Sequence, residues 1–209
     1  MRWLLFISTF VSALILSACG SSPAPIDNRQ IDKRASSKLY TPIPRGGLAL
    51  PDRVAFLQKD ARWRHQTLGG SGESLASDGC VVTSAAMALA NLGFETDPAD
   101  LNARFKQTGS YTNQGWLIWD GVRKVTDGAA HARFYDSVSP EIIDGCLRDG
   151  YYPLTRFILP NGRSHWAMVV GRSNKGYHMR DPLRASKSAL IFPRGAEAFK
   201  SVRCIGRKT

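Results

Sequence analysis

Acidic side chains are scarce in this chain. Seventeen Asp and Glu stand against 28 Lys and Arg, a formal net charge of +11 over 209 residues. The excess is spread along the sequence, with short clusters only at residues 62–64 and 203–208. A basic surface of this kind suits nucleic acid, or anionic lipid and cell-wall polymer. No nucleic-acid-binding motif accompanies it, so nucleic acid is not expected as a partner. Long apolar runs are missing too. The run over residues 3–16 is broken by Ser8, Thr9 and Ser12 and falls short of the roughly 20 apolar residues that span a bilayer. Cysteine and histidine number four each, with none of the CxxC and paired-His spacing that holds zinc. Neither a metal nor a cofactor is expected. No internal repeat is present.

What the N-terminus does contain is a secretory layout. Arg2 precedes the apolar run, and small residues follow it. Leu16-Ser17-Ala18-Cys19-Gly20 resembles a bacterial lipobox, in which the Cys is acylated and the chain is cut just before it. Residues 1–18 are then a signal peptide and Cys19 the lipidation site. Several buried acyl chains, at about 0.8 kcal/mol per CH₂, would anchor the protein. Gly20 stands where an Asp would retain a lipoprotein at the inner membrane, which favours the outer membrane of a host that has one. Residues 19–51 read as a tether. They hold Pro23, Pro25, Pro42, Pro44 and Pro51, five of the chain's 11 prolines, and few large apolar residues. Residues 52–209 remain as one globular domain, a size sufficient for one core. A cell-envelope location outside the cytoplasm follows. In such a compartment Cys146 and Cys204 are either buried free thiols or a disulfide pair.

Within the domain, apolar residues recur at helical spacing after Cys80: Val81, Val82, Ala85, Ala86, Leu89 and Leu92. Ser77 or Asp78 is the expected cap and Gly93 the expected stop. Asp97-Pro98 opens a second helix running to about Lys106. Residues 116–125 are a weaker third helix. Ser139-Pro140-Glu141 opens a fourth that stops at Gly150. The period then changes. Residues 154–159, 164–171, 176–180 and 189–192 read as strands, with a hairpin turn at residues 173–176. Helices first and antiparallel strands after give an α+β fold.

The chemistry centres on Cys80, placed in the first turn of its helix, where free N–H groups and the macrodipole favour a thiolate. A thiolate nucleophile needs a base. Of His65, His131, His165 and His178, His165 is preferred because it starts a strand at the rim of the sheet. The hairpin folds residues 181–184 back opposite it, so Asp181 can accept from the imidazole and fix its tautomer. The Cys80 N–H is one expected oxyanion donor. The aromatic stretches at residues 116–119 and 151–152 are expected to be core rather than binding platforms. The glycine-rich segment 69–72 is expected as a surface turn, with the rim of the cleft as the other option.

Gln58-Lys59-Asp60-Ala61-Arg62-Trp63, Gly79-Cys80-Val81-Val82-Thr83-Ser84-Ala85-Ala86-Met87, His165-Trp166-Ala167-Met168-Val169 and Asp181-Pro182, in that order, resemble the C39-like peptidase group. These are papain-like relatives of the domain that trims double-glycine leaders from bacteriocin precursors. The likeness spans residues 54–182. It implies a papain-like fold with N-terminal helices on a C-terminal antiparallel sheet. It also implies a Cys80–His165–Asp181 triad with Gln58 at the oxyanion hole, and cleavage of a peptide or protein substrate. Its known members work from a transporter at the cytosolic face, so a double-glycine leader is not the expected substrate of an exported chain. Two other readings use the same cleft. One is cell-wall amide cleavage or transpeptidation, although Gly79-Cys80-Val81-Val82 differs from the DCSG-type motif of NlpC/P60 enzymes. The other is a non-catalytic peptide-binding lipoprotein of the envelope.

Overall fold

The computed structural model describes residues 47–208. The expected signal peptide, Cys19 and the expected tether up to residue 46 lie outside the described residues.

Strand β1 (Leu48–Ala49) is followed by four helices, α1 (Leu75–Asp78), α2 (Cys80–Asn91), α3 (Pro98–Gln107) and α4 (Gly121–Val125). Then come β2 (Ala130–Phe134), α5 (Pro140–Arg148), β3 (Tyr152–Ile158), β4 (Ser164–Ser173), β5 (Gly176–Arg180), β6 (Leu190–Ile191) and β7 (Ser201–Arg207). The strands form one antiparallel sheet in the order β2-β7-β3-β4-β5-β6, with β1 paired to the far end of β4. The fold is α+β, as the sequence leads one to expect.

Alternation along the strands gives the sheet two apolar faces. On one, Leu154, Met168, Val170 and Ile205 meet Val82, Ala85, Ala86, Met87 and Leu89 of α2. Each such large side chain taken out of water contributes roughly 1.5–3 kcal/mol. Thr83, Ser84, Ala85 and Ala86 are all buried, and their small size lets α2 lie close to the sheet. The Ser84 hydroxyl donates to the Trp166 carbonyl of β4 at 3.3 Å. On the other face, Phe157, Ala167, Val169 and Val202 meet Ile143, Cys146 and Leu147 of α5. There Cys146 and Cys204 form a disulfide joining α5 to β7 across 58 residues of sequence. The open question of these two cysteines is thereby answered in favour of the pair.

Two helix starts follow their local chemistry. Asp97 accepts from the Asp100 N–H at 2.9 Å with Pro98 next in line, and Ser139 accepts from the Ile142 N–H at 3.3 Å with Pro140 next.

Several details differ from the sequence reading. The helix that Cys80 opens has Gly79 as its N-cap and no side-chain cap; Ser77 and Asp78, the expected caps, lie inside the short helix α1, which Ser74 caps by accepting from the Ser77 N–H. The expected third helix shortens to Gly121–Val125. Residues 111–117 instead turn back on themselves around Gly115 at φ +79°, a conformation that favours glycine. The strand β7 was hidden by its arginines. Arg203 stacks over Phe134 and Arg207 over Phe94, so charges that look like a surface cluster cover the ends of the sheet. Helices do not all precede strands, since β2 separates α4 from α5 and α5 covers the opposite face. Residues 47–51, assigned to the tether, join the sheet: the Leu50 N–H donates to the Val170 carbonyl, and the Tyr152 hydroxyl to the Pro51 carbonyl.

Candidate active site

Cys80 opens α2 directly after α1, and Gly79 makes the join. A Cβ there would collide with the Leu75 carbonyl, so glycine alone lets the two helices meet at this angle. No side chain caps the N-terminus of α2. Its first N–H groups are left for solvent or ligand. Cys80 is a free, partly exposed thiol.

His165 lies at the start of β4, 2% exposed, with its ring edge-on to Phe157 at 5.3 Å. Its Nε2 donates to Asp181 Oδ1 at 2.7 Å, which leaves Nδ1 for Cys80. Burial alone draws the imidazole pKa down. The hydrogen bond with Asp181, together with the hydrogen bond and charge of Cys80 beside it, outweighs that and holds it up at about 9. Asp181 follows the last residue of β5. Burial pushes its carboxyl up, but the bonds from His165 and from the Leu183 N–H (2.9 Å) outweigh this and hold it below the usual carboxylate range.

Gln58 is buried in a tight turn. Trp63 anchors that turn by donating Nε1–H to the Leu57 carbonyl at 2.8 Å, and Arg62 pairs with Asp60. The Gln58 amide Nε2 donates one proton to the Ala76 carbonyl at 3.0 Å. The second Nε2 proton has no protein acceptor among the described residues, and Oε1 is buried without a partner.

Gln58, Cys80 and His165 line one cleft of about 170 Å³, together with Lys59, Arg163 and Leu183. Larger hollows exist, such as one of about 420 Å³ between residues 135–138 and 196–203. That hollow contains no nucleophile paired with a base, and the small cleft is the candidate site. A buried, charged imidazole held between a carboxylate and a thiol at a helix start can move a proton to and from a group bound at sulfur.

The structure therefore brings together all four residues selected by sequence: Cys80, His165, Asp181 and Gln58. The other histidines are elsewhere: His178 bonds Ser173 within the hairpin, His131 meets Tyr151, and His65 is exposed. Tyr151, Tyr152 and Leu117 are buried, whereas Trp116 is 72% exposed and Trp119 rests on Trp166. The glycine-rich segment does not reach the cleft. Gly69 and Gly70 lie against Tyr111 and Thr112, where a Cβ would collide. Sequence reasoning overlooked Arg163 and Lys59. Their adjacency to His165 and Gln58 was the available signal.

No family model matches the chain, and no curated protein does. Among solved structures, the fold is similar to the crystal structure of a candidate C39-like peptidase from Bacillus anthracis. The TM-score is 0.50 at 16% identity, covering 78% of this chain and 98% of that one.

Proposed function

We propose that the chain is a papain-like cysteine peptidase that works outside the cytoplasm, anchored through a lipid on Cys19. The observation that carries this reading is the 2.7 Å bond between His165 and Asp181 beside the free thiol of Cys80. The fold likeness to a C39-like protein supports the same assignment. The disulfide between Cys146 and Cys204 supports an oxidising compartment.

The chemistry is acyl transfer. Cys80 sulfur attacks the carbonyl carbon of an amide. The charge that develops on oxygen is met by the Cys80 N–H and by the uncommitted proton of Gln58 Nε2. The His165 imidazolium gives its Nδ1 proton to the leaving amine, and a thioester remains on Cys80. His165, now neutral, takes a proton from water, whose oxygen attacks the thioester carbonyl; the C–S bond breaks, the acid product leaves, and the Cys80 sulfur returns beside the His165 imidazolium. Asp181 holds the ring in one tautomer throughout. The substrate is a peptide or protein.

The test is alkylation of the full chain by iodoacetamide near neutral pH, read at each cysteine by peptide mass spectrometry. The reading requires rapid modification of Cys80 that His165→Ala slows strongly. Slow modification indifferent to His165 would leave a non-catalytic envelope lipoprotein as the better account.

A further inference from the structure

We infer that the cleft selects amide substrates carrying a carboxylate close to the scissile bond, with Arg163 as the group that receives it and Lys59 as an added positive charge. The inference rests on the peptidase reading above and names its substrate class.

Arg163 is held in place by its own turn. Its N–H donates to Asn161 Oδ1 at 3.1 Å, and its carbonyl accepts from the Leu159 N–H at 2.9 Å. Gly162 supplies the φ of +81° that the turn needs. Two residues later the chain reaches His165, so the arginine backbone is fixed relative to the base. Its side chain then crosses to the nucleophile side. Nη2 lies 3.2 Å from the Ser77 carbonyl and 3.5 Å from Asp78 Oδ1, in the short helix that ends at Gly79-Cys80. The guanidinium therefore bridges the wall that carries His165 and the wall that leads to Cys80.

Its charge is not used up there. The pair with Asp78 is exposed on both sides, 61% and 47%, and is at the outer limit of hydrogen-bond distance. Such a pair contributes little to stability. Nη1 and Nε have no protein partner among the described residues. Lys59 and Arg163 are the cations of the cleft outside the catalytic pair, Asp78 faces them, and Asp181 lies behind His165. A carboxylate entering beside Cys80 meets Lys59 and a planar guanidinium fork whose Nη1 and Nε are uncommitted. The carboxylate can belong to an acidic side chain or to a free chain end.

The test compares two alkylating agents of nearly equal size, anionic iodoacetate and neutral iodoacetamide, on the full chain at low salt. The quantity read is the ratio of their rates at Cys80, in which effects on thiol reactivity common to both agents cancel. Arg163→Gln is expected to lower the iodoacetate-to-iodoacetamide ratio about fivefold to tenfold, as a unit charge a few ångströms away predicts at intermediate dielectric. Arg163→Lys should restore most of it, and added salt should shrink the parent's preference. Protection of Cys80 by acetyl-dialanine as free acid, or by acetyl-glutamyl-alaninamide, with loss in Arg163→Gln, tells the chain end from the side chain. Either result supports the inference. A ratio unmoved by Arg163→Gln, with iodoacetamide still reporting a His165-dependent thiol, overturns the inference alone. Iodoacetamide labelling indifferent to His165 removes the peptidase reading and this inference with it.

Discussion

The Gln58 backbone N–H donates to the Pro182 carbonyl at 2.8 Å. The turn that carries the amide is thus tied to the loop that carries Asp181, across more than half the globular part of the chain. The two groups that act on opposite sides of the reacting centre share one support, so movement of either segment disturbs both.

The first prediction concerns Asp181. Replacing it by Asn removes one of the two groups, with Cys80, that hold the His165 pKa up at about 9. Cys80 is then left alone against burial, and the midpoint should fall. Titration of the His165 ring by NMR reads this directly. Alkylation of Cys80 near pH 7 should slow about tenfold once the midpoint falls to about 6, where only about a tenth of the rings stay charged. An unchanged midpoint would mean that Asp181 does not act on the imidazole.

A pH dependence of stability follows. His165 is raised in the fold from the ordinary 6.5 to about 9. Its contribution is complete below pH 6.5 and is lost as pH rises through about 9. Asp181 is depressed. Its contribution is present above the ordinary carboxylate range and is lost as pH falls through its lower folded value. Thermal melting should therefore show a decline above neutrality that His165→Ala abolishes.

Gln58→Ala should separate chemistry from nucleophile activation. Loss of one oxyanion donor costs about 10²–10³ in turnover. Alkylation has no oxyanion, so iodoacetamide labelling of Cys80 should change little while acyl-enzyme formation from an activated ester falls steeply. Equal losses in both assays would place Gln58 in support of the fold instead.

The Cys146–Cys204 bond closes 58 residues of chain. By the chain-entropy account its loss costs about 4 kcal/mol. Melting of Cys146→Ser with Cys204→Ser, compared with the parent, checks this. A fall below about 1 kcal/mol would show that the reduced chain is already constrained.

Asn91 supplies the last prediction. Its Oδ1 accepts from the Arg53 and Val54 N–H groups at 2.8 and 3.1 Å. Its Nδ2 donates to the Val54 and Met87 carbonyls at 2.8 and 2.9 Å. Asn91→Ala strands the backbone groups of residues 53–54 and should cost about 1–3 kcal/mol in denaturant unfolding.

Local chemistry was enough for much of this molecule. Asp97-Pro98 and Ser139-Pro140 start helices because cap and φ are set by neighbouring atoms. The small residues of α2 show how closely it can approach a sheet. The hairpin at residues 173–176 folds Asp181 back toward His165, because antiparallel register is arithmetic once the turn is known. His165 and Asp181 were therefore readable as a pair, and the family resemblance joined Cys80 and Gln58 to them. What sequence alone did not reveal depends on partners distant along the chain. The arginines of β7 read as a basic cluster until Phe134 and Phe94 lie beneath them. Residues 47–51 read as tether until β4 offers them an open edge. Cys146 and Cys204 become a bond only when α5 folds onto β7. Arg163 becomes part of a cleft only when its turn brings it across to Ser77 and Asp78. In each case the deciding energy is a contact between segments far apart in sequence, which only the tertiary structure creates.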